Sequence, residues 1–310
     1  MAGAVIRVFP RRTSYTPRDA LAFVGDPPLL RPLAAEVHVS VTFTWDIPEG
    51  KRLAEAWAQY YPVVRLGGPA FGDPGEDFVP GRYVRSGVVF TSRGCNNRCP
   101  WCLVPDREGP LRLLPIAPGH IVQDNNFLQC PAAHRRAVYR MLARQPRAAV
   151  FAGGLQADLV TDEVADELRA VRIGCVFLAA DTDAALRPLE RALRRLSFLR
   201  RDQLRCYVLC GYGGETVEQA EARLERVWEL GAMPFAQLYQ LPDQRLVYGP
   251  EWRALARRWS RPAIMKAVHR EAAQLARRLK AQVPKGEVGG RPAELLWSSG
   301  ELAAGRERWR

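Results

Sequence analysis

From residue 86 onward the chain repeats one pattern: a short apolar run, a polar or glycine-rich exit, then an amphipathic stretch. The apolar runs are Val88–Thr91, His120–Gln123, Ala149–Ala152, Cys175–Ala180, Cys206–Cys210 and Phe235–Tyr239, each of strand length. Ala133–Ala143 places Ala137, Val138, Met141 and Leu142 on one helical stripe. Asp162–Val171 follows Thr161, a residue that caps helices well. Thr216 with Gln219 makes a capping box for a helix that closes at Gly231. Short strands alternating with helices predict a parallel sheet. The runs are mostly apolar, as strands covered on both faces require. The predicted fold is therefore α/β, with the six units forming a partial (β/α)6 TIM-like barrel. A doubly wound open sheet has the same periodicity and competes with it.

Residues 1–80 predict a small β-α-β module. Val37–Trp45 alternates as a strand, Lys51–Tyr60 is a short helix with Leu53, Ala54 and Trp57 on one side, and Pro62–Leu66 is the next apolar run. No G-x-G-x-x-G is present, so a dinucleotide site is not expected. Pro69–Arg85 is rich in Gly, Pro and Asp and reads as a linker or lid. The domains expected are 1–80, 84–245 and a basic helical extension over 246–310. The extension carries Pro, Gly and Ser after about residue 282 and is expected to be partly disordered there.

Hydrophobic residues make up 47% of the chain and charged residues 25%, which excludes a disordered chain. No apolar stretch is long enough for a membrane span, and the start lacks the apolar core of a secretory signal. Seven cysteines, three of them between residues 95 and 102, do not suit a disulfide framework. A reducing compartment, the cytoplasm, is expected.

The polar exits of the predicted strands gather the candidate chemistry, since parallel α/β folds build sites at the carboxyl ends of their strands. After the first run comes Arg93-Gly94-Cys95-Asn96-Asn97-Arg98-Cys99-Pro100-Trp101-Cys102. Three thiolates from one loop suit iron–sulfur or zinc. Zinc would want a fourth ligand such as Cys130 or His120. Cys206 and Cys210 share one strand face but stand about 13 Å apart, too far for a common metal. They read as core or pocket-lining residues, and Cys130 and Cys175 as buried small hydrophobes.

The spacing C-x3-C-x-aromatic-C resembles the signature of the radical S-adenosylmethionine (SAM) superfamily, and the likeness extends over about residues 84–245. It implies a [4Fe–4S] cluster on Cys95, Cys99 and Cys102 as metal ligands and catalytic centre, with Trp101 beside the adenine of SAM. It implies reductive cleavage of SAM to a 5′-deoxyadenosyl radical, hydrogen abstraction from a substrate, and a reductant such as flavodoxin or ferredoxin. Asp124-Asn125-Asn126-Phe127 stands where the superfamily usually has Gly-Gly-Glu-Pro, similar to members with an N-terminal cobalamin-binding-like domain. By that likeness Asn125 and Asn126 contact the methionine end of SAM. Gln156, Asp158, Asp181, Tyr212 and Tyr239, with Gln240, become further cofactor contacts. Asn125–Asn126, Asp158 and Asp181 also fit simple helix-capping turns. Residues 1–80 resemble a truncated cobalamin-binding-like domain. The module has no D-x-H-x-x-G loop and its one histidine, His38, lies in a predicted strand, so cobalamin is not expected.

The net charge is +12. From Glu251 onward 14 Arg or Lys stand against 6 Asp or Glu, a difference of +8. Such an excess suits a polyanion, so a nucleic acid or nucleotide is one candidate substrate; an arginine-rich composition drawn from a GC-rich genome would give the same charge. Trp252, Arg257, Arg258 and Trp259 interleave as a nucleic-acid surface does, or as a helix packed beneath a barrel does. The alternative to a radical SAM enzyme is a catalytically silent binding protein, for SAM and iron–sulfur or for nucleic acid, that keeps the fold.

Overall fold

The computed structural model describes residues 4–73, 78–242 and 244–282. The chain divides into two compact units, residues 1–265 and 266–310. The tail beyond 282, expected to be partly disordered, lies outside the described residues.

The first unit opens with β1 (Val5–Phe9), β2 (Ala22–Val24), β3 (Glu36–Ser40), α1 (Ile47–Ala58) and β4 (Val64–Gly67). These strands make a parallel sheet in the order β2-β1-β3-β4. Ile6, Val8, Val37 and Val39 point to one face, where Leu53 and Trp57 of α1 cover them. The strand expected to run to Trp45 stops at Ser40. Thr44–Asp46 turns instead as a 3-10 helix, and buried Asp46, paired with Arg11, leads into α1.

A second sheet follows. Its chain order is β5 (Val88–Val89), β6 (Ser92–Arg93), α2 (Val104–Glu108), β7 (Arg112–Leu113), β8 (Ile121–Val122), α3 (Ala132–Ala143), β9 (Ala149–Phe151), α4 (Asp162–Arg169), β10 (Ile173–Ala179), α5 (Leu186–Arg195), β11 (Leu204–Cys210), α6 (Val217–Glu229), β12 (Met233–Leu238), α7 (Pro250–Ser260) and α8 (Pro262–Gln282). β6 and β7 form a separate antiparallel ladder. The other six strands are all parallel and ordered β5-β8-β9-β10-β11-β12, so the strand order never reverses as a doubly wound sheet requires. β5 and β12 are its two edges, and no closed barrel forms among the described residues. Right-handed crossovers between successive parallel strands put the connecting helices on one face. That face holds the main core: Val89, Val122, Phe151, Val176, Leu178 and Val208 against Leu168, Leu189 and Leu224. Each of these side chains contributes roughly 1.5–3 kcal/mol through burial.

The other face is unevenly covered. Val88, Ile121 and Ala152 lie beneath Tyr15, Val84 and Phe90. Over β10–β12 the expectation of strands covered on both sides is corrected. Leu204, Cys206, Val208 and Cys210 of β11 are buried among the helices, whereas Arg205, Tyr207 and Leu209, on the opposite face, stay partly exposed. In α7, Leu255 and Trp259 are buried and Arg258 pairs with Glu221, so this part of the Trp–Arg interleaving serves packing. No helix among the described residues is long and apolar enough to cross a membrane.

Candidate functional site

The carboxyl ends of the six strands bring together most of the residues singled out from sequence. The loop after β5 is held by two carboxylates. Asp124, leaving β8, accepts hydrogen bonds from Thr91 N (2.6 Å), Thr91 Oγ1 (2.5 Å) and Ser92 Oγ (2.8 Å). Burial pushes its carboxyl up, against the pull of these donors. Glu108, at the end of α2, accepts from Gly94 N (3.2 Å) and Asn125 Nδ2 (2.6 Å) and pairs with Arg107 at 2.8 Å. Burial acts to raise Glu108, yet Arg107, Arg93 and the two donors hold it below the usual carboxylate range. Two glycines permit this crowding. A Cβ on Gly94, whose φ is +75°, would lie 2.1 Å from Pro110 O, and one on Gly153 would lie 1.8 Å from Asp124 O.

The loop's outer half is held by amides. Gln156 Oε1, beyond β9, accepts from Asn126 Nδ2 (2.8 Å), Asn97 Nδ2 (3.0 Å) and Gln129 Nε2 (3.3 Å). Gln129 in turn donates to Asn97 Oδ1 (3.0 Å) and accepts from Asn96 N (2.8 Å). The sequence marked Gln156 and Asn126 but not Asn96, Asn97, Gln129 or Glu108. An amide or acid in a loop announces no partner until the fold supplies one.

Across the strand ends runs a row of rings. Trp101 meets Tyr212 edge to face at 5.4 Å, and Tyr212 meets Tyr239 at 4.9 Å. The Asp181 carboxylate lies beside Trp101 and accepts from Leu209 N at 3.0 Å. Burial pushes the Asp181 carboxyl up. Tyr239 is steadied from behind, where Tyr248 Oη donates to its carbonyl at 2.7 Å. Gln240 Oε1 accepts from Leu246 N and so closes its own loop. Asp158 is not brought to this group; it is exposed and pairs with Arg191 of α5 at 3.5 Å. His38 lies in the first sheet, between Tyr83 Oη (2.5 Å) and Glu36 Oε2 (2.9 Å).

No protein-family model matches this chain, and no curated protein sequence matches it.

The geometry corrects the radical SAM resemblance. Among the described residues, no three Cys, His, Asp or Glu side chains come together so as to hold a metal ion. Cys95, Cys99 and Cys102 are free, partly buried thiols on a loop already fixed by hydrogen bonds. Burial pushes the Cys99 and Cys102 thiols up, and the neighbouring sulfurs and Asp181 add to it. With no such metal-holding group among the described residues, the expected metal site and iron–sulfur chemistry are withdrawn. SAM goes with them, since its expected anchor was the cluster iron. The amides expected at its methionine end are also engaged: Asn125 with Glu108, and Asn126 with Gln156. The expectation of an active radical SAM enzyme falls for the same reason.

Proposed function

We propose that this protein binds rather than transforms its ligand, and that the ligand is a nucleic acid or nucleotide received at the carboxyl ends of the six-stranded sheet. The observation that carries the reading is the ring row Trp101–Tyr212–Tyr239, in which each ring rests against the next. Rings held in place offer stacking surfaces to a base at little further entropic cost. The net charge of +12 supplies the long-range attraction that a polyanion answers. The sheet itself we read as a partial (β/α)6 barrel spanning about 84–245, open between β5 and β12. Residues 1–80 cap part of its inner face through Tyr15. The free thiols suit the reducing cytoplasm.

Fluorescence anisotropy with a labelled oligonucleotide of about 12 nucleotides tests the reading. Binding should weaken steeply as salt rises. Trp101→Leu should weaken it about tenfold, the worth of one stacked base. Absence of binding at low salt, or full affinity in Trp101→Leu, contradicts the reading.

A further inference from the structure

The helix-free half of the six-stranded sheet carries a second set of rings that the strand-end row does not use. The parallel register sets Phe177 beside Arg205, Ala179 beside Tyr207, Tyr207 beside Phe235 and Leu209 beside Gln237, all on the face turned away from the helices. Phe177 and Tyr207 stack at 4.5 Å with 20° between their planes. Phe235 stands edge-on to Tyr207 at 5.7 Å. None of these three rings belongs to a buried cluster, and Ala179 and Gln237 beside them are exposed. Tyr207 Oη donates to Ala152 O at 2.8 Å, so its polar end is satisfied within the protein and its ring is held flat on the sheet.

One cation borders the platform. Arg205 lies on the same face, beside Cys175. Its Nε is buried without a hydrogen-bond acceptor. Asp202, whose charge reaches Cys175, is already paired with Arg200 at 3.2 Å. Flat rings bordered by a guanidinium group match a chain of flat bases joined by phosphates. Bases inside a duplex are stacked on each other and cannot lie on protein rings.

We infer that the open face of β10–β12 is a stacking platform for single-stranded nucleic acid, with Phe177, Tyr207 and Phe235 beneath the bases and Arg205 toward the phosphates. This deepens the nucleic-acid reading above and rests on it. The full chain is titrated with a fluorescein-labelled single strand of about 12 nucleotides and with the same strand annealed to its complement. Phe177→Leu keeps an apolar side chain and removes the ring; Arg205→Gln removes the charge and keeps a polar chain. The single strand should bind at least about tenfold tighter than the duplex, and each variant should weaken it about five- to tenfold with an unchanged melting temperature. Equal affinity for duplex, or full single-strand affinity in both variants, overturns the platform. If Trp101→Leu weakens binding while these variants do not, the strand-end reading stands and the platform falls. If the wild-type chain binds neither probe, both fall.

Discussion

At Gln156 one carbonyl oxygen takes three amide donors, from Asn97, Asn126 and Gln129. The partners lie 59, 30 and 27 residues away in the chain, so no local pattern could pair them. The sequence marked Gln156 and Asn126 as polar strand exits, which was legible, and gave them to a ligand, which was not. Their neighbours across the fold use them first. Gln156→Leu would leave those donors unpaired beside Asn126 Oδ1, which is already buried without a partner. An unpaired buried polar group costs about 1–3 kcal/mol. We therefore expect Gln156→Leu to lower unfolding free energy by about 2–3 kcal/mol in urea. It should also speed amide exchange in the loop of Cys95–Cys102. A loss below about 0.5 kcal/mol, the size of an ordinary surface substitution, would mean that the network does not hold the loop.

Elements whose signals are local were readable. The Thr161 cap and the Thr216–Gln219 capping box both form, and the helix they open at Val217 closes before Gly231, whose φ is +104°. β1 was missed although VIRVF alternates, with Ile6 and Val8 buried and Arg7 between them. β2 has three residues, too few to show a period. In β11 the alternation of Arg205 and Tyr207 with buried neighbours was visible, but the run was begun at Cys206 and read as one of several mostly apolar strands covered on both faces, and the open face was lost with it. The buried side of β11 has its own consequence. Burial, with Glu215 adding to it, pushes the Cys210 thiol up to about 12 from an ordinary 9.0. Below pH 9 the thiol is protonated whether the chain is folded or not, and the stability tied to that proton is fully present. As pH rises from 9 toward 12 the unfolded chain loses the proton first, and folding weakens by up to about 1.4 kcal/mol per pH unit. Cys210→Ala should start lower in melting temperature at pH 7, through lost packing, yet fall less steeply between pH 9 and 11. Parallel melting curves for the two proteins over that range would contradict the assignment.

For the molecule as a whole, the expected parallel α/β architecture is present, as two sheets with strand orders β2-β1-β3-β4 and β5-β8-β9-β10-β11-β12. What the sequence could not convey is how a loop with a metal-like cysteine spacing is supported. Spacing records which thiols are near in the chain; it does not record the carboxylates and amides that already hold that loop. The loop carrying Cys95, Cys99 and Cys102 is a hydrogen-bonded wall whose thiols are free. The most direct test is iron and sulfide analysis, with an absorption spectrum, of the full chain after anaerobic reconstitution with iron and sulfide. A Cys99→Ala variant serves as the control. We expect substoichiometric iron, the same in both proteins, and no broad charge-transfer absorption in the visible. About four iron and four sulfide per wild-type chain, lost in Cys99→Ala, would contradict the account and return the loop to cluster chemistry.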